Sequence, residues 1–337
     1  MPHPTETLTP NPDFAAAAQR RQVTWPGGEG QPGGGPVRGA VSVAAADESR
    51  ERSAGRTETT ELLDATVTVQ EPSRSLIYRV AVFAYGVAAY LIGVAALLAL
   101  IFTMLGVVPF SGGLPGGFGP GAGLALDLLL LVAFALQHSL MARPSFKARW
   151  TRIIPAAAER STYVLATGLI LFPLLALWQP MPAIVWSVEA PILRWPLIGL
   201  ALTGWAYLFV ASFAIDHFEL FGLRQVYQAL RGRPLTQAPF RERWMYRFDR
   251  HPIMTGVLIG VWVTPTMTMD HLLFAAGITV YVWIGVFFEE RSLRRQWGRR
   301  YEEYRERVGT IVPTFASRRS KPAPGAAPAS TRAGEPR

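Results

Sequence analysis

Apolar residues gather in long blocks along this chain of 337 residues, rather than in the period-two alternation of strands or the narrow stripe of soluble helices. Six blocks stand out, at about 77–108, 121–141, 161–180, 195–215, 252–268 and 271–288. Apolar runs near or above ~18 residues are long enough to cross a bilayer as helices. The pattern predicts an all-α integral membrane protein with about six transmembrane helices. The last two blocks are the shortest. The chain turns between them at Thr264-Pro265-Thr266-Met267-Thr268-Met269-Asp270-His271, so they form a C-terminal helical hairpin.

Polar residues mark the ends of that hairpin. Arg250-His251-Pro252 opens it and Glu289-Glu290 closes it. Pro252 suits a first helical position, where its missing N–H would have no partner anyway, so His251 reads as the N-cap of a helix running to about Val263. Equal lengths from the turn bring the two charged pairs to one depth. Each pair has the wrong sign for its own helix end, since an N-terminus favours anions and a C-terminus cations. Two readings stay open on these residues: a polar ligand site with both signs of charge, and a salt-bridge cluster that only pins the hairpin.

Charge orients the chain. The formal net charge is +9, but the basic residues sort by membrane side and form no groove-reading motif, so no nucleic-acid partner is expected. Arg143, Lys147, Arg149, Arg152 and Arg160 occupy one loop. Arg224 to Arg250 and the stretch after Phe288 carry most of the rest. Alternate loops are almost uncharged, and the positive-inside rule then places both termini in the cytoplasm of a multi-pass cell-membrane protein. The chain has no cysteine, which excludes thiolate metal sites and cysteine nucleophiles. The histidines lack the i,i+4 spacing of a helical metal site, so no metal is expected.

The flanks read differently. Residues 1–73 and 316–337 are rich in Gly, Pro, Ala and mixed charge and are expected to be disordered tails around a membrane domain at 74–315. After Glu290, residues Leu293, Trp297, Tyr301, Tyr304 and Val308 recur at helical spacing among arginines, predicting an amphipathic helix in the inner interface, in contact with the lipid bilayer. Gly256 and Gly260 form a GxxxG pair expected to pack on the last apolar helix, and Gly256 could instead leave room for a ligand. Trp178 reads as an outer-interface anchor. His138, near a helix end, reads as a capping or packing residue before a catalytic one. Asp216-His217-Phe218-Glu219 brings an imidazole and two carboxylates to the cytoplasmic boundary, which makes His217 and Glu219 candidates for chemistry.

Arg250-His251-Pro252 with Gly256, followed by Glu289-Glu290, Leu293, Gly298, Tyr301 and Tyr304, resembles the C-terminal signature of the isoprenylcysteine carboxyl methyltransferase superfamily. Met254 stands where that signature has Tyr, and Trp297 where it has Phe. The segments Gln137–Arg143, Glu159–Tyr163, Asp216–Gln225 and Thr264–Thr268 further resemble the bacterial methanethiol S-methyltransferase family, with NnrU-like membrane proteins sharing part of the upstream pattern. The resemblance implies methyl transfer from S-adenosyl-L-methionine to a small-molecule thiol, methanethiol, giving dimethyl sulfide. It implies donor binding by Arg250, His251, Pro252, Gly256, Glu289, Glu290 and Tyr301. Arg250, His217 and Glu219 are then the expected catalytic residues, with His217 as the base for a thiol that must react as thiolate. A transporter and a nicotinamide-dependent membrane reductase are the rival expectations. Few ionisable residues through the membrane centre of the first three helices, and no duplicated half, speak against transport.

Overall fold

The computed structural model describes residues 41–42, 68–69, 74–108, 119–236 and 244–311. The expected tails lie outside these residues, apart from strands β1 (Val41–Ser42) and β2 (Thr68–Val69). The described chain continues with α1 (Leu76–Met104), α2 (Pro120–Ala142), α3 (Pro144–Trp150), α4 (Glu159–Leu177), β3 (Ile184–Ser187) and α5 (Pro191–Ile215). It ends with α6 (His217–Leu220), α7 (Leu223–Leu230), β4 (Leu235–Thr236), α8 (Pro252–Trp262), β5 (Thr266–Thr268) and α9 (Met269–Arg307). β2 pairs antiparallel with both β1 and β4.

Five described helices, α1, α2, α4, α5 and α9, are long and apolar enough to cross a membrane. The sixth expected crossing is α8, which has only 11 residues. At ~1.5 Å per residue it spans roughly half of a ~30 Å hydrocarbon core. The rest of that limb, Val263 to Thr268, is extended. An extended chain rises ~3.3 Å per residue, so the short helix and this segment together match the length of α9 up to Glu290.

Extended backbone at membrane depth needs partners. β3 provides them: it pairs antiparallel with β5, Trp186 opposite Met267 and Ser187 opposite Thr266. Val188 N–H donates to Pro265 O at 2.8 Å, and the Trp186 indole donates to Thr264 O at 3.1 Å. Pro265 has no N–H to offer the Val261 carbonyl one turn earlier, and His271 Nε2 donates to that carbonyl instead, at 2.8 Å. His271 is thus a structural donor on the face away from the charged end of the hairpin.

Trp178 departs from its expected place. It is fully buried, packs edge-on against Phe274, and donates its indole N–H to Asp270 O at 3.3 Å. It braces the start of α9 from inside. Asp127 is also fully buried and accepts the Gln179 N–H at 2.8 Å, tying α2 to the end of α4.

Water does not drive helices together inside a bilayer, so close packing of small residues carries much of the association. The GxxxG pair of α8 packs on α5 rather than on the last helix. A Cβ on Gly256 would meet Gly204 O and Leu208 N at 2.7 Å, and one on Gly260 would meet the Trp205 ring at 2.4 Å. Gly204 returns the contact, since its Cβ would meet Ile259 Cγ2 at 2.6 Å. On the other side of the molecule Gly93 of α1 faces Val164 of α4, and Gly86 faces Val226 of α7.

Candidate active site

The hairpin brings its charged ends together. Arg250 Nη1 lies 3.0 Å from Glu290 Oε1, and the His251 ring lies 3.4 Å from Glu290 Oε1 and 3.5 Å from Glu289 Oε2. Glu290 also faces Arg305 Nε at 3.4 Å and Arg294 Nη2 at 3.7 Å. One buried carboxylate therefore collects four cationic side chains. Glu289 collects fewer, and its side chain is about half exposed at 47%.

Arg250 is the most constrained of the group. Its side chain is 7% exposed, its backbone N–H donates to Gly309 O at 3.0 Å, and its Nη2 reaches Thr310 Oγ1. Its Nε finds no hydrogen-bond partner among the described residues. A buried donor left without an acceptor costs about 1–3 kcal/mol, more on a charged group. This guanidinium is therefore short of acceptors at Nε and at Nη1, whose contact with Glu290 is an ion pair rather than a hydrogen bond.

Asp249, unremarked in the sequence, anchors the mouth. It is fully buried and accepts the His251 N–H at 2.9 Å, the Tyr207 hydroxyl at 3.3 Å and the Thr255 hydroxyl. Thr255 also contacts Ile311 O, and the chain around Gly309 bridges to Asp249 in parallel. Asp249 lies beside the first turn of α8, so the helix start holds the anion its dipole favours. Glu289 and Glu290 do not end a helix, because α9 runs on to Arg307 and breaks only at Gly298, with φ 49° and ψ −126°. That backbone is open to glycine and strained for other residues.

Past this break the aromatic stripe turns onto the protein instead of the bilayer. Tyr301, Tyr304 and Val308 are buried, with Leu293 and Trp297 packed against them. Tyr304 donates its hydroxyl proton to Tyr246 O at 2.6 Å. The predicted interfacial helix is thus the last part of α9, folded against the Asp249 segment. Tyr301 lies close enough to Glu290 and Arg250 to feel both charges.

Electrostatics separate the titrating groups. Burial opposes a charged His251, but the hydrogen bonds and charges of Glu289 and Glu290 outweigh it, so the ring holds its proton above the ordinary imidazole range. Burial pushes the Asp249 carboxyl up, against the hydrogen bonds from Thr255, His251 and Tyr207 that favour its charged form. Burial holds His217 below the ordinary range, with Asp216 opposing.

The other expected site residues divide. Pro252 is buried at the first helical position, as its chemistry demands. Gly256 leaves no room beside it, because Gly204 and Leu208 fill that space; its role is helix packing. His217 and Glu219 form a separate knot. Asp216 caps α6, and Arg224 Nη1 pairs with Asp216 at 2.6 Å and Glu219 at 2.9 Å. His217 is 4% exposed, stacks on Phe213 at 4.3 Å, and bonds Ser212 Oγ and Tyr90 through its two nitrogens. Ten residues of chain separate Tyr207, which touches Asp249, from His217, a rise of about 15 Å along a helix. Gly222, with φ 87°, seats this knot on Ser161 at the start of α4.

His138 is better connected than a capping reading implies. Its Nε2 lies 2.6 Å from the Tyr163 hydroxyl and its Nδ1 3.2 Å from Thr167 Oγ1. Phe134 stacks on the ring and Tyr281 approaches it edge-on. Tyr163, Thr167 and Tyr281 lie too far from His138 in the chain for spacing to reveal these contacts.

The chain is 47% identical over 193 residues to a methanethiol S-methyltransferase of Mycobacterium tuberculosis, covering 57% of this chain and 79% of that one. It is 40% identical over 244 residues to methanethiol S-methyltransferase 1 of Bradyrhizobium diazoefficiens, covering 72% and 86%. Nurim of Rattus norvegicus is more distant, 34% identical over 209 residues that cover 55% of this chain and 79% of that one. No family model and no solved structure matches.

Proposed function

Because the chain belongs to the methanethiol S-methyltransferase family, we propose that it methylates methanethiol to dimethyl sulfide with S-adenosyl-L-methionine as the methyl donor. The observation that carries the donor assignment is the buried Arg250 guanidinium with an unused Nε donor, next in the chain to the His251 ring that meets the half-exposed Glu289. The donor has a carboxylate, an ammonium group and a sulfonium. Arg250 and protonated His251 suit the carboxylate, and Glu289 suits the cationic part. Glu290 already balances four cations and serves to hold Arg250 and His251 in place. Tyr301 and Pro252 line and shape this mouth. When bound, the donor supplies an electrophilic methyl carbon on cationic sulfur, and catalysis by the protein is positioning, exclusion of water and removal of the thiol proton.

Arginine-rich loops at the charged end of the hairpin support a cytoplasmic site in the cell membrane, where this donor is available. The hairpin mouth lies at the membrane boundary, so a small apolar thiol can arrive through the bilayer. Washed membranes containing the protein, given methanethiol and S-adenosylmethionine, are expected to release dimethyl sulfide into the headspace. No product from folded protein that binds a nicotinamide or moves a solute instead would overturn the assignment.

A further inference from the structure

We propose that Tyr163 and His138 are the acceptor-side catalytic pair, Tyr163 taking the thiol proton while its own proton passes to His138 Nε2. The inference rests on the methyl-transfer reading above and assigns the base within it.

The hydrogen-bond directions follow from the available protons. Thr167 donates its single hydroxyl proton to Tyr163 O at 2.9 Å. Toward His138 the Thr167 oxygen is therefore an acceptor, which makes Nδ1 the protonated ring nitrogen. Nε2 then carries the lone pair, and Tyr163 donates to it at 2.6 Å. The result is a one-way chain from the Tyr163 hydroxyl through the ring to Thr167 and a helix carbonyl. At the head of the chain, the Tyr163 oxygen keeps lone pairs able to accept a proton from another group.

Arg143 at the end of α2 stands 5.6 Å from the Phe288 ring, next to Glu289, and Ser139 of α2 donates to the Tyr281 hydroxyl of α9 at 3.5 Å. Both contacts set α2, and with it the His138–Tyr163 chain, against the limb of α9 that leads to Glu289. Tyr281 of α9 and Phe134 complete an aromatic surround of the kind that favours sulfur. α2 is also the least buried of the five long helices, which leaves this wall closest to lipid.

A second chain of the same polarity exists at His217. Ser212 Oγ donates to Phe209 O at 2.7 Å, so it accepts from His217 Nδ1, and Tyr90 donates to Nε2. That ring is walled by Phe213, Phe218 and Phe221, and nothing described links it to Glu289 or Arg250. The geometry therefore favours His138.

The step balances. The thiol S–H breaks as its proton goes to the Tyr163 oxygen, and the Tyr163 O–H breaks as that proton goes to Nε2. A carbon–sulfur bond forms to the acceptor as the methyl–sulfonium bond of the donor breaks. The positive charge leaving the sulfonium reappears on the imidazolium, so the net charge of the site is unchanged. Solvent later takes the ring proton.

The test compares wild type, Tyr163→Phe and His138→Gln in membranes, with thiols of graded acidity and with donor affinity measured separately by calorimetry. Both variants are expected to keep donor affinity and to lose about a hundredfold in turnover of methanethiol. The loss should shrink for an acidic aromatic thiol, which ionises without help. Should His138→Gln fail to fold, Tyr163→Phe still decides the matter. Undiminished methanethiol turnover by folded Tyr163→Phe, or an equal loss for acidic and ordinary thiols, overturns the pair while leaving the methyltransferase reading intact. A wild-type protein that methylates no thiol overturns both.

Discussion

Arg250 and Glu290 meet at 3.0 Å across the hairpin mouth, the arginine just before the start of α8 and the carboxylate in the middle of α9. Because α9 continues past Glu290, its later arginines turn back onto the same carboxylate. Glu290 thus holds charge together, whereas Glu289, half exposed beside it, faces outward.

The two glutamates should separate on mutation. Glu290→Gln leaves Arg250 buried without its counter-charge, and breaking such a pair costs about 3–5 kcal/mol. A clear drop in melting temperature in detergent is expected, together with loss of donor affinity. Glu289→Gln should leave melting unchanged while weakening donor binding about tenfold, the size of a charge-assisted hydrogen bond. Equal effects of the two substitutions on both measurements would refute this division of roles.

His251 gives a pH dependence of definite sign. Its folded value is raised above the ordinary 6.5. The imidazolium's contribution to stability is therefore complete below that ordinary value and is lost as pH rises through the folded-state value. Donor affinity should fall over the same alkaline window. His251→Gln should flatten both profiles; a wild-type stability curve that is level across that window would show a ring already neutral.

Asp249 and Thr255 predict a stability defect with intact charges. Thr255→Val removes a hydroxyl that contacts both Asp249 and Ile311 O. Leaving such groups buried and unsatisfied costs about 1–3 kcal/mol. Denaturation in detergent should detect it, and Thr255→Ser should recover most of it. A neutral Thr255→Val would mean that water replaces the hydroxyl.

Glycine positions offer a packing test. Gly256→Ala drives a Cβ into the backbone of α5, which cannot swing aside, and overpacking of this kind costs about 1–3 kcal/mol. Gly285→Ala meets nothing within 4 Å and should be neutral or stabilising by up to about 1 kcal/mol. Thermal melts of the two variants should move in opposite directions, or only the first should move.

The membrane class and the pairing of Arg250-His251 with Glu289-Glu290 were legible because charge is costly in an apolar run, and so stands out. The rest depended on tertiary contact. Trp178 at the end of an apolar block looks like an interface anchor until Phe274 and the Asp270 carbonyl enclose it. The GxxxG pair announces close packing without naming its partner, which is α5. Asp249 reads as one more charge in an arginine-rich loop, and only its contacts with Tyr207 and Thr255 reveal an anchor. The amphipathic stripe was correct in period, but a stripe does not state whether lipid or protein lies beneath it.

The contacts of Gly309 and Ile311 give the end of the described chain a function that its own residues do not announce. Gly309 O receives the Arg250 backbone N–H, and Ile311 O contacts Thr255. A protein truncated after Arg307 would retain the whole charge cluster and every long helix, yet the strap that fixes the mouth of the hairpin would be gone. The reach of the site therefore extends beyond its chemistry, and shortening the chain there is equivalent to loosening the site.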